Sequence, residues 1–235
     1  MRGSIASFLI LCLTFGSSAF AQFKGEAEAG AIVVSGNNDS ESYNSKAKAT
    51  YTHEQNVYSL FGRYLKTDSN GIESALNWEA GARYERTLSQ HFSFYLGHKA
   101  ESDKFNGYIQ RDSSDAGLKY YFVKSDELTW SAEAGYRYQK YMGTDGSLKN
   151  DNLGRLYTEI NKALDKTLSF KYWAEYLPNF TESDAYLANT EASLNVMLNS
   201  IFSLKVAYLL QYQNQPPAST KYTTTTTTMN LVAKF

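Results

Sequence analysis

Few side chains in this sequence could do chemistry, and they can be weighed one at a time. His53, His91 and His98 are the only histidines, and Cys12 is the only cysteine. His53 and His91 fall in short polar connections, where a solvated imidazole needs no further role. His98 is in phase with Phe92, Phe94 and Leu96, so it should project from the apolar face of a strand. If the hairpin folds symmetrically about Asn106, Ser114 stands opposite His98. A hydroxyl beside an imidazole is the minimal pair for acyl hydrolysis, the ring taking the proton as oxygen attacks a carbonyl. A slip of one residue would turn Ser114 to the other face and dissolve the pair. No spacing of His, Cys, Asp and Glu fits a metal. The acidic run Asn37-Asn38-Asp39-Ser40-Glu41 lacks the ordered ligand ladder of a calcium loop. No cofactor and no catalytic activity are expected.

The larger set is charged and falls on alternate positions of apolar segments. Lys46, Lys48, Glu79, Arg83, Lys99, Lys119, Glu133, Arg137, Arg155, Glu159, Lys171, Glu175, Glu191 and Lys205 should share one face of their strands. Facing a lumen, they could form opposed ladders that bind polar or zwitterionic solutes weakly. They could equally pair across the lumen and leave a narrow or closed passage. Both signs occur on many strands and no one-sign ring is visible, so strong ion selectivity is not expected.

The elements that must position these residues are strands. Leu76, Trp78, Ala80, Ala82 and Tyr84 alternate with Asn77, Glu79, Gly81, Arg83 and Glu85. The same split separates Trp130, Ala132, Ala134, Tyr136 and Tyr138 from Ser131, Glu133, Gly135 and Arg137. Phe202, Leu204, Val206, Tyr208, Leu210 and Tyr212 make a third apolar row. A turn phrase recurs about every 34 to 40 residues, at Leu88-Ser89-Gln90-His91, Leu164-Asp165-Lys166-Thr167 and Leu198-Asn199-Ser200-Ile201. Weaker relatives are Glu54-Gln55-Asn56 and Lys124-Ser125-Asp126-Glu127. Longer polar connections lie between these turns, near 36–41, 68–73, 104–107, 143–151, 178–183 and 214–220. The pattern predicts an all-β, antiparallel up-and-down transmembrane β-barrel of about twelve strands of about 12 residues each, tight turns on one rim and longer loops on the other. Twelve strands close at a backbone radius of roughly 12 Å, and short loops leave little material for a plug.

The ends and the composition suggest a place. Residues 1–21, with Arg2, the apolar run 5–15 and Ala19-Phe20-Ala21, read as a secretory signal peptide that takes Cys12 with it. Residues 22–235 then form one domain. Its final residues, Met229, Leu231, Ala233 and Phe235, make a period-two apolar row ending on an aromatic. That row fits a closing barrel strand whose Phe235 is an assembly signal for the outer-membrane insertion machinery. The 23 basic and 24 acidic residues offer no surplus for nucleic acid. A mean hydropathy of −0.45 suits a barrel that shows half of each strand to outer-membrane lipid. With 19 tyrosines against 3 prolines, strands and interfacial girdles are favoured over helices. The oligomeric state is left open.

Several segments carry a family resemblance. Ser35-Gly36-Asn37-Asn38-Asp39-Ser40-Glu41-Ser42, the Glu-Ala-Gly-x-Arg-Tyr phrases at 79–84 and 133–138, Pro216-Pro217, the Thr-rich stretch and Phe235 resemble the YdiY-like family of salt-induced outer-membrane proteins of Gram-negative bacteria. That resemblance implies an outer-membrane barrel linked to osmotic or salt response, with no known substrate and no catalytic residues to carry over. It leaves a narrow porin-like pore or a structural envelope protein as the expected function. The alternative is an acyl hydrolase using His98 and Ser114, which resembles outer-membrane phospholipase. That family places its His and Ser two residues apart on one strand, and no His-x-Ser occurs here.

Overall fold

The computed structural model describes residues 23–34, 39–216 and 220–235. The segment read as a signal peptide, Cys12, residues 35–38 of the first loop and Pro217 lie outside the described residues. Twelve strands run in order: β1 (Phe23–Val34), β2 (Ser40–His53), β3 (Asn56–Ser69), β4 (Ile72–Thr87), β5 (Phe92–Asp103), β6 (Tyr108–Lys124), β7 (Leu128–Gly143), β8 (Leu148–Ala163), β9 (Leu168–Pro178), β10 (Tyr186–Met197), β11 (Phe202–Gln213) and β12 (Thr223–Lys234). Each pairs antiparallel with its sequence neighbours, and β1 pairs with β12 to close the barrel. Closure leaves no free sheet edge, as a strand assembly surrounded by hydrocarbon requires.

The direction of the alternation decides what kind of barrel this is. Glu133, Arg137 and Arg155 point inward and are 5–7% exposed, whereas Leu118 and Leu156 point outward and are 53% exposed. A water-soluble barrel would invert that arrangement, because burying unpaired charge costs far more than exposing a leucine. The polar inside and apolar outside are those of transmembrane barrels. Aromatic rings pack along the outer face near one rim, where Tyr51, Tyr58, Tyr84 and Phe94 form a continuous chain of ring contacts. Tyr176, Tyr186 and Tyr212 do the same nearer the other rim.

The repeated turn phrase has a physical cause. Ser89 Oγ, Asp165 Oδ1 and Asn199 Oδ1 each accept the backbone N–H three residues on, at 3.2, 2.7 and 2.8 Å. Ser125 Oγ accepts from the Leu128 N–H in the same way. A short polar side chain thereby satisfies the donor that the reversing chain would leave free. The opposite rim departs from expectation. The β3–β4 connection is only Asn70-Gly71, both at positive φ (50° and 75°), which is the tight two-residue hairpin chemistry. The stretches expected as loops at 68–73 and 148–151 are mostly strand, so β4 and β8 each reach 16 residues. Asp, Ser and Asn are weak strand formers, and here cross-strand pairing overrides their propensity.

Candidate functional site in the barrel interior

The interior is organised around Tyr95, which is completely buried. Tyr95, Gly117, Gly135 and Arg155 are successive partners in one cross-strand row over β5, β6, β7 and β8. The tyrosine lies flat over the two glycines and its hydroxyl accepts from Arg155 Nη1 at 3.0 Å. A Cβ built on Gly117 or Gly135 would stand 2.7 or 2.5 Å from that hydroxyl oxygen, so only glycine admits the crossing. The Arg83 guanidinium covers the same ring, 4.1 Å from its centre.

Around this floor four cations and four carboxylates neutralise one another. Arg83 donates to Glu133 at 2.7 Å and reaches Glu85 at 3.4 Å. Arg155 bonds Glu133 at 2.5 Å and Glu175 at 2.7 Å. Arg137 bonds Asp115 at 2.6 Å and Glu175 at 3.2 Å, and Lys119 reaches Glu85 at 3.3 Å. These contacts tie β4 through β9 together across the lumen, with most oxygens answered by a donor. For side chains buried as deeply as Glu133, Arg137 and Arg155, that is what makes such a cluster tolerable.

The other candidate residues stand at the margin of this cluster. Glu79 lies between Arg63 and Lys99, at 3.5 and 3.7 Å, and Lys99 also bonds Glu101 at 2.8 Å. Glu159 takes Lys171 at 2.8 Å and the Tyr157 hydroxyl at 2.6 Å. Lys205 bonds Glu28 at 2.8 Å. Glu191 lines the cavity without a cation within ion-pair distance among the described residues. Alternation already placed Glu85 with Arg83 and would have placed Glu101 with Lys99 and Asp115 with Lys119. Arg111 also shares the parity of Asp115 and Lys119, whereas Tyr108 was not legible, because a register shift between Tyr108 and Gln110 breaks the period-two pattern there.

A cavity of about 960 Å³ remains beside the cluster. Its wall includes Ser169, Ser200 and Lys234 at the rim of tight turns, and Asn106, Gln213 and Tyr222 at the opposite rim. One connection narrows it. The turn Lys104–Asn106 folds over the mouth, held by Asp103, whose carboxylate accepts from the backbone and side chain of Asn106. Asn106 in turn accepts from the Thr224 hydroxyl on β12 at 2.9 Å. A three-residue turn thus reaches the far wall, so the loops supply more obstruction than their length suggests.

On the outer face, His98 and Ser114 are register partners, and His98 Nδ1 lies 3.0 Å from Ser114 Oγ. Both residues are exposed. At the seam, Gly25 N–H donates to the Phe235 carbonyl at 2.6 Å and Phe235 N–H donates back at 3.0 Å. The Phe235 ring covers Gly25 so closely that a Cβ there would stand 2.2 Å from it.

Fold and interior define the class: a transmembrane-type β-barrel with a polar, ion-paired lumen. Its fold resembles that of the NanC porin, with a TM-score of 0.53 at 10% identity, covering 91% of this chain and 98% of that one. The chain belongs to the family described as "Protein of unknown function, DUF481", whose model matches residues 27–235. It is 31% identical over 218 residues to the uncharacterized protein YdiY of Escherichia coli (strain K12), covering 92% of this chain and 84% of that protein.

Proposed function

We propose that this protein is exported through a cleaved leader at residues 1–21 and resides in the outer membrane of a Gram-negative cell. There it acts as a narrow passive pore for ions or small polar solutes. The observation that carries this reading is the cavity whose wall draws on side chains at both rims. The neutral cluster on Tyr95 fills one side of the lumen and fixes the shape of the path. Glu79, Arg83, Lys99, Arg137, Arg155, Glu159, Lys171, Glu175, Glu191 and Lys205 border that path, while Lys119 and Glu133 support it from behind. Pure protein in a planar bilayer should give discrete conductance steps whose size changes when Glu79 or Arg83 is reversed in charge. A sealed bilayer at high protein load would refute the pore and leave a structural envelope role in osmotic or salt response.

A second reading rests on the 3.0 Å contact between His98 and Ser114 on the outer face, which has the composition of an acyl-hydrolase pair. Among the described residues no carboxylate bonds the His98 ring to orient it. The sheet N–H groups around Ser114 are committed to the ladder, leaving none for a developing oxyanion. Fatty-acid release from lipid vesicles by pure protein, lost in Ser114→Ala, would support hydrolysis. Equal background rates would end it.

A further inference from the structure

We infer that the lumen prefers anions, and that a lysine wall on β1 and β2 sets the preference. This rests on the pore reading and names the class of solute the pore would take. The whole chain is nearly neutral in charge, but the cavity wall is not. Among the described residues, thirteen Lys and Arg border it against eight Asp and Glu. The cluster around Tyr95 balances internally, so the excess lies elsewhere.

Its source is the pairing around β1. Glu28 faces Lys46 in register, yet its carboxylate is held by Lys205 at 2.8 Å and by Asn230 at 3.1 Å. Glu26 faces Lys48 in register, yet its nearest cation is Lys234 at 3.8 Å. Two glutamates therefore stand between four lysines. Lys46 and Lys48, two residues apart on one strand, are left without a carboxylate within 4.0 Å among the described residues. Lys24 continues the same row toward the rim of tight turns.

Across the interior, the charges of Lys171 and Lys119 act on Lys48, opposed by Glu159 and Glu26. Lys171 is already bonded to Glu159 at 2.8 Å. The opposite wall thus does not cancel the excess. Among the described residues Glu191 is the one cavity carboxylate without an ion pair. In a low-dielectric tube a few uncompensated charges on the wall focus the potential and bias which ion enters. Small inorganic anions and organic carboxylates or phosphates fit such a wall. Simple cations do not.

The test is a reversal potential across a planar bilayer under a potassium chloride gradient, using the full mature chain. The wild type should reverse on the chloride side of zero. Lys46→Gln with Lys48→Gln should move it toward zero, and Lys46→Glu with Lys48→Glu should move it past zero to the potassium side. The conservative pair Lys46→Arg with Lys48→Arg should keep the wild-type sign. The shift of the heat-modified band on gels confirms that each variant forms a barrel. Conductance with no anion preference, or a preference unmoved by the glutamate pair, overturns the inference while the pore stands. Absence of any conductance removes the pore reading and the inference together.

Discussion

Replacing Arg155 by methionine tests the interior most directly. Methionine retains the volume and apolar stem while deleting the charge. Arg155 makes three bonds, to Tyr95 at 3.0 Å, Glu133 at 2.5 Å and Glu175 at 2.7 Å, and its residue exposure is 7%. Breaking one partner of a buried ion pair costs about 3–5 kcal/mol, because the other is left charged and uncompensated. Here neither glutamate is abandoned. Glu133 keeps Arg83 at 2.7 Å and Glu175 keeps Arg137 at 3.2 Å. The loss should therefore fall near the lower bound, about 3 kcal/mol. The Tyr95 hydroxyl loses a donor as well, which keeps the cost from falling much further. Reversible urea unfolding from lipid vesicles, followed by the fluorescence of Trp78, Trp130 and Trp173, measures it. Glu133→Gln added to Arg155→Met removes the surplus negative charge, so the double variant should lose less than the sum of the singles. A loss under about 1 kcal/mol, the scale of a solvent-exposed pair, would show that water screens the cluster and that the lumen is wider than described.

Other expectations follow from the same geometry. Gly135→Val puts a branched side chain where the Tyr95 hydroxyl lies 2.5 Å from an ideal Cβ, so it should slow or block folding into vesicles; wild-type yield would mean that Tyr95 does not lie across β7. Val206→Lys on the apolar outer row should cost roughly 2–4 kcal/mol if that row meets lipid near the midplane, and an unchanged unfolding midpoint would reverse the face assignment. Deleting Phe235 removes the ring over Gly25 and both seam hydrogen bonds between the two residues, and should leave protein in the periplasm; normal insertion would refute its assembly role. In the β8–β9 turn, hydrogen bonds from the Thr167 and Leu168 N–H groups hold the Asp165 carboxyl below its ordinary pKa. A depressed value means the turn is stabilised above the ordinary carboxylate pKa of about 3.9 and loses that support as pH falls through the lower folded value. Asp165→Asn should flatten this acid dependence, and an identical pH profile would show that the turn does not contribute.

Much of the barrel was legible because a strand in a two-phase environment writes its surroundings into every second residue. Trp78, Ala80 and Ala82 against Glu79, Gly81 and Arg83 give the faces of β4 without any knowledge of its neighbours. The Leu-Ser, Leu-Asp and Leu-Asn phrases mark turns because the short polar side chain does its work locally, within three residues. Ser114 stands opposite His98, as a hairpin symmetric about Asn106 requires, although the register shifts between Glu101 and Asp103 nearer the turn and the chain alone left a one-residue slip open. Strand ends were less legible. Whether Asp68 or Asn150 belongs to a loop depends on a partner strand, and pairing carried β3 and β8 through the polar residues that suggested a stop.

What period two cannot encode is which charge meets which. The sequence by itself determined that acids and bases share the inward face of many strands, and that balance made a mild, nonselective lumen the natural expectation. Only the closed barrel decided the pairing, because curvature brings β4 within reach of β7 and β11 within reach of β1. Those contacts join residues 50 and 177 positions apart. Closure neutralises the charges around Tyr95 and leaves Lys46 and Lys48 short of carboxylates, although each stands beside a glutamate in register. The physical reason is that a carboxylate has few places for close cations, and on β1 the nearer ones come from strands at the far end of the chain.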